Sequence, residues 1–198
     1  MRIGVYPGSF NPPHMGHFII ADSLIKDGIL DKIIFVPTSD FYAKEGLVPA
    51  INRYEMLKLV TDKYNYLEVS DLEVNKTTQN YTYQTLDSIQ VLYPNDEIYL
   101  VIGSDNLKYL HTWKHYAYIM DHYKIISIER DFKEYDIDML DKVQVVQLHL
   151  EDISSTVVRN RLKNKENISD FVPEEIINYI DKNGLYGSKV KWWEILIK

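Results

Sequence analysis

The chain has 198 residues, 22 Lys and Arg against 29 Asp and Glu, a net charge of −7, 45% hydrophobic residues and no cysteine. That length suits one domain with at most a small appendage, and the acidic balance argues against broad nucleic-acid or anionic-membrane binding, which needs an extended basic surface. The lack of cysteine excludes a disulfide framework and thiolate metal sites, and no apolar run has the length of a signal or membrane-spanning segment, so a soluble cytoplasmic protein is expected.

The first element is the apolar run Ile3-Gly4-Val5-Tyr6, followed at once by the loop Gly8-Ser9-Phe10-Asn11-Pro12-Pro13-His14-Met15-Gly16-His17. An apolar run, a Gly/Pro-rich loop and then a helical pattern read as strand, turn and helix. In open α/β sheets a ligand sits just outside the carboxyl end of such a strand, facing a helix N-terminus. Gly8, without a Cβ, lets the backbone come close to a bound group, and Pro12 and Pro13 stiffen the loop. His14 and His17 are three apart and share a helix face. Two imidazoles beside exposed helix amides make an anion-facing site, and phosphate is its expected guest.

Strand, Gly-Ser-Phe, Pro-Pro and His-x-Gly-His together resemble the signature of the nucleotidyltransferase α/β-phosphodiesterase superfamily, with its HxGH motif. The form found here is most similar to bacterial nicotinate-nucleotide adenylyltransferases, which more usually carry Asp at the place of Asn11. Both side chains cap turns, so the departure is mild. The resemblance implies an enzyme that transfers the adenylyl group of ATP to nicotinate mononucleotide. It also implies that Gly8, Ser9, Phe10, His14 and His17 meet ATP, the two histidines as catalytic charge stabilisers.

Further along, the spacing predicts a helix from Gly16 to Lys26, ended by Gly28, and a buried strand over Lys32 to Val36, stopped by Pro37. This completes a strand-helix-strand unit and implies a parallel pair. Thr38 to Pro49 reads as a polar loop at the ligand end of the sheet, with Lys44 as its cation. Relatives have Pro-Pro-His-Lys here, and only the lysine carries over, as a substrate contact. Asn52 is expected to cap a second helix reaching Tyr64, and Tyr66 to Val69 to form a short strand.

Tyr81-Thr82-Tyr83-Gln84-Thr85-Leu86 resembles the S-Y-T-x-D-T-L segment of the family, with Asn80 and Gln84 as departures. The resemblance assigns Tyr81, Thr82 and Thr85 to the nicotinate carboxylate; a plain helix start with a core tyrosine is the alternative. Glu97 to Gly103 is the clearest buried strand, ending in another strand-to-helix turn in which Asp105 either accepts from a ribose hydroxyl or caps the helix. Gly103-x-Asp105-x-Leu107 and Trp113 match a family block in which Gly103 and Asp105 serve ATP and Trp113 stacks on the pyridine ring. Tyr123 to Ile128 reads as a strand and Val143 to Leu148 as another, with an acidic, poorly patterned stretch between them. Arg130, at the end of the first of these two strands, matches a substrate-contacting arginine of the family.

Ile153-Ser154-Ser155-Thr156-Val157-Val158-Arg159 is the second strong constellation. Three hydroxyl residues before an apolar helical pattern make a helix start with unpaired amides and about half a positive charge. Arg159 lies one turn in, with a fork of donors suited to phosphate oxygens. The block matches the I-S-S-T-x-x-R motif of the family at every fixed position, which implies ATP contacts from Ile153, Ser154, Ser155, Thr156 and Arg159. A last helix follows Pro173 and ends at Gly184.

The whole pattern predicts a single α/β domain over residues 1–186, a Rossmann-like open parallel sheet with helices on both faces, followed by an apolar tail at 187–198. Packing on the domain, a contact within a homo-oligomer and the start of a further element remain open for that tail. No carboxylate cage for a metal is visible, so Mg2+ is expected to bind through the substrate phosphates. Nicotinamide mononucleotide or phosphopantetheine as acceptor, or a nucleotide-binding module without catalysis, are the alternatives to nicotinate mononucleotide adenylylation.

Overall fold

The structure is a computed structural model describing residues 1–42, 46–129, 142–148 and 153–188. Its centre is a six-stranded parallel sheet: β1 (Arg2–Gly8), β2 (Lys32–Pro37), β3 (Leu67–Val69), β4 (Glu97–Gly103), β5 (Lys124–Glu129) and β6 (Val143–Gln147), in the order β3-β2-β1-β4-β5-β6. The helices are α1 (Met15–Lys26), α2 (Ala50–Thr61), α3 (Thr82–Leu92), α4 (Ser104–Leu107), α5 (Tyr116–His122), α6 (Ser155–Lys163) and α7 (Glu174–Lys182).

The strands are apolar along their length because both faces are covered. Side chains alternate between two cores, as the period of two requires. Tyr6, Ile33, Phe35, Tyr99, Val101 and Ile126 join one core, where they pack with Phe18 and Leu24 of α1, Met56 of α2, Val158 of α6 and Ile176 of α7. Ile3, Val5, Ile34, Leu100, Ile102 and Ile125 join the other, with Leu86 of α3, Leu107 of α4 and Ile119 of α5. Among the described residues no helix is long and apolar enough to cross a membrane.

Most expected elements stand within a residue or two of the sequence reading, and β4 agrees residue for residue. Pro37, expected to stop β2, is its last residue. The expectation for α2 needs correction. It begins at Ala50 and ends at Thr61, with Asn52 inside it rather than at its cap. The Ala50 amide donates to Asp40 Oδ1 at 2.7 Å, so the capping acceptor comes from ten residues upstream. Asn52 Nδ2 instead donates to the Tyr179 hydroxyl on α7.

The strand order reverses direction between β1 and β4, and a crevice opens there outside the carboxyl ends of the strands. Gly8 and Gly103 therefore end neighbouring strands at one mouth.

Candidate active site

Two loop-to-helix junctions meet at that mouth. The first is the turn from β1 into α1. Phe10 is buried and carries φ +46°, and its ring lies where a Cβ on Gly8 would stand, 2.9 Å away. Gly8 is thus needed by the loop's own packing. His14, 2% exposed, precedes α1, and a Cβ on Gly16 would come within 3.1 Å of its ring. The glycine of His-x-Gly-His leaves room for the first histidine.

The two imidazoles lie 3.8 Å apart between ring centres, tilted by 32°. Phe10 and Tyr6 present ring edges or faces to His17 at 4.9 and 6.2 Å. His17 Nδ1 accepts from the His14 amide at 3.2 Å. An accepting Nδ1 places the proton of the neutral ring on Nε2, which makes that atom a donor.

The second junction, leading into α6, is bound to the first. Ser155 Oγ donates to the Pro12 carbonyl at 2.9 Å, and Arg159 Nη1 donates to the Asn11 carbonyl at 2.8 Å. Arg159 Nη2 donates to Thr156 Oγ1 at 3.1 Å. Ser154 caps α6 by accepting from the Val157 amide. The Ile153 carbonyl comes to 3.8 Å of the place a Gly16 Cβ would take. Segments 143 residues apart in sequence thus meet in one wall.

A cavity of about 580 Å³ lies across the ends of β1 and β4 and shares Gly8 and Ser9 with the first junction. Gly8, Ser9, Tyr81, Thr82, Asp105, Trp113 and Lys114 are among its lining. Asp105 folds back over Gly103, where a Cβ would stand 2.5 Å from its Oδ1. It lies in the first turn of α4, whose N-cap is Gly103. Thr85 lies behind the wall, 2% exposed. Its Oγ1 donates to Glu73 Oε1 at 2.5 Å and accepts from Asn80 Nδ2 at 2.7 Å. Thr85→Val removes that donor and acceptor from a buried carboxylate cluster and is expected to cost about 1–3 kcal/mol. A urea denaturation midpoint unchanged from the parent protein would contradict this.

Lys44 and Arg130 lie outside the described residues, as does the tail beyond Ser188. Among the described residues no group of three or more His, Cys, Asp and Glu side chains is arranged to hold a metal ion.

Three residues brace the site through contacts that the sequence reading does not give. Arg53 on α2 has a fully buried side chain and donates to four acceptors on the neighbouring loops. Nε reaches the Val48 carbonyl at 2.9 Å, Nη1 the Ser9 carbonyl at 2.8 Å, and Nη2 both the Thr38 carbonyl at 2.6 Å and Asp40 Oδ1 at 3.0 Å. Burial pulls its pKa below the usual value, against the raising effect of Asp40; guanidinium nonetheless stays charged. Asn11 is the second: Nδ2 donates to the Gly46 carbonyl, while Oδ1 accepts from the Val48 amide and the Tyr186 hydroxyl. The amide donor suits a backbone carbonyl that a carboxylate in its place would repel. The third is Tyr186 itself, whose hydroxyl pKa burial pushes up while the nearby Arg53 and Arg159 charges pull it down.

A family model described as cytidylyltransferase-like matches residues 5–161. The chain is 35% identical over 191 residues to a probable nicotinate-nucleotide adenylyltransferase of Flavobacterium johnsoniae, covering 94% of this chain and 99% of that one. A similarly described protein of Clostridium tetani is 34% identical over 194 residues, covering 92% and 97%. Among solved structures, Plasmodium falciparum nicotinic acid mononucleotide adenylyltransferase complexed with NaAD superposes with a TM-score of 0.78 at 24% identity, covering 94% and 97%, a likeness of fold.

Proposed function

The chain belongs to the cytidylyltransferase-like family and, within it, to the nicotinate-nucleotide adenylyltransferases, and from that premise we propose that it transfers the adenylyl group of ATP to nicotinate mononucleotide, giving nicotinate adenine dinucleotide and pyrophosphate. The observation that carries the reading is the junction of the His-x-Gly-His loop with the Ser154–Arg159 helix start, joined through Ser155 to Pro12 and Arg159 to Asn11.

In this reaction an oxygen of the nucleotide's phosphate forms a bond to the α-phosphorus of ATP. The bond from that phosphorus to the bridging oxygen breaks, and pyrophosphate leaves with the electron pair. The attacking oxygen is already anionic, so no general base is needed. The chain's task is alignment and charge stabilisation. His17 offers Nε2–H to a phosphate oxygen, a direction fixed by the bond its Nδ1 accepts. His14 stacks beside it, and the amides of Gly8 and Ser9 cradle the same group. The start of α6 and the Arg159 guanidinium hold the departing pyrophosphate. Tyr81, Thr82 and Trp113 wall the cavity that receives the pyridine ring. Mg2+ carried on the triphosphate supplies further neutralisation of its oxygens. An acidic chain without cysteine suits this reaction in the cytoplasm.

The test is purified protein with ATP and nicotinate mononucleotide, followed by pyrophosphate release and chromatography of the dinucleotide. Formation of both products, abolished by EDTA and restored by excess Mg2+, is expected. Absence of dinucleotide, or faster pyrophosphate release with phosphopantetheine as acceptor than with nicotinate mononucleotide, would overturn the reading.

A further inference from the structure

Asn11, 5% exposed, is the point at which three distant segments meet the His-x-Gly-His loop. Its Nδ2 donates to the Gly46 carbonyl at 2.9 Å, and its Oδ1 accepts from the Val48 amide at 3.2 Å. The shortest bond comes from far along the chain. The Tyr186 hydroxyl, 175 residues away in sequence, donates to the same Oδ1 at 2.7 Å. The main-chain carbonyl of Asn11 accepts in turn from Arg159 Nη1 at 2.8 Å. One residue thus stands between the phenol and the guanidinium.

Tyr186 is held there in a backbone conformation that a β-carbon disfavours. It carries φ +55°, in the left-handed region, between Gly184 at +60° and Gly187 at +74°. The segment Leu185–Gly187 packs on α6, the helix that presents Arg159, and on α7. The Tyr186 ring lies against the core on that side of the sheet. A phenylalanine would fill the same space, so packing accounts for the ring and leaves the hydroxyl to be accounted for by Asn11. Burial raises the pKa of that hydroxyl, which therefore stays a donor at neutral pH.

We infer that Tyr186 is a positioning residue for adenylyl transfer: its hydroxyl fixes Asn11, and the Asn11 carbonyl aims the Arg159 guanidinium at the departing pyrophosphate. This rests on the function proposed above. A long arginine side chain spreads over many rotamers unless its fork is anchored. Nη2 of Arg159 is held by Thr156 on its own helix, whereas Nη1 ties it to the loop that carries the histidines. Movement of Asn11 would turn the fork away from the oxygens on which charge builds as the leaving group departs.

The experiment measures kcat for dinucleotide formation from ATP and nicotinate mononucleotide with the parent protein, Tyr186→Phe, Arg159→Ala and the double variant, each well below its thermal midpoint. Tyr186→Phe keeps the ring, and Asn11 Oδ1 keeps the Val48 amide as donor, so the variant is expected to fold. In the parent background it is expected to lower kcat about tenfold, the size of losing one buried hydrogen bond that aims a charged group. In Arg159→Ala, where no guanidinium is left to aim, the same change is expected to move kcat less than about twofold, because the two residues act in series. A kcat for Tyr186→Phe within about threefold of the parent overturns the inference. So does a loss of equal size in both backgrounds, which would make the hydroxyl a brace for the segment of Gly46 and Val48 and not for Arg159. A parent protein that forms no dinucleotide sinks the functional reading itself, a result visible before any variant is made.

Discussion

Replacing His17 by alanine lowers kcat at least about a hundredfold while the protein stays folded. The magnitude is that of deleting one preorganised donor aimed at charge that redistributes in the transition state. The geometry makes this donor hard to replace. His17 Nδ1 is engaged by the His14 amide, which commits Nε2–H to the open side of the ring, and Phe10 packs edge-on against the imidazole at 4.9 Å. Water filling the space left by the ring would lack that fixed direction. The loss is expected in kcat more than in the KM for ATP, because the contact strengthens as charge moves to the leaving oxygens. Initial rates of pyrophosphate release over a range of ATP concentrations decide it. Turnover within a few-fold of the parent enzyme would remove His17 from the chemistry.

The second large effect is on stability. Arg53→Met is expected to cost about 3 kcal/mol, the low end for removing one partner of a buried ion pair. The lower figure applies because the Asp40 side chain is 52% exposed and can be rehydrated, whereas the Arg53 side chain is fully buried. What remains is a set of carbonyls, from Ser9, Thr38 and Val48, that lose their donor together. In a domain of this size that loss corresponds to a melting temperature lower by about 6–12 °C. Arg53→Lys restores charge but not the planar fork, so it is expected to recover only part of the loss. Because Ser9 and Thr38 line the cavity, kcat/KM is also expected to fall at temperatures where the variant is fully folded. A melting temperature within 2 °C of the parent would show that Arg53 holds nothing together.

Much of the site was legible because its parts are local. Turn chemistry after Tyr6, the hydroxyl run before Val157 and the seven apolar or strand-ending residues of β4 each declare themselves within about ten residues. The start of α2 did not, because its capping acceptor, Asp40, stands upstream of a loop and no spacing rule connects them. Gly8 reads as a position where the backbone comes close to a bound group, but the group nearest its absent Cβ is the chain's own Phe10 ring, and Gly16 likewise leaves room for the His14 ring. Thr85 reads as a ligand contact and stands instead in a second layer, its hydroxyl given to Glu73. Arg53 in the sequence resembles any solvated helix arginine, since the carbonyls that bury it arrive from segments 5, 15 and 44 residues away.

By itself the sequence determined the alternation of strand and helix, the parallel sheet and the two phosphate-type helix starts. Those properties follow from side-chain periodicity, turn residues and capping, and such forces act between neighbours along the chain. Only the tertiary structure decided that Arg159 and Ser155 close onto Asn11 and Pro12, that a buried guanidinium ties two loops together, and that the Tyr186 hydroxyl reaches Asn11. Hydrogen bonds and charge pairing act through space, and the backbone had to fold before those groups became neighbours.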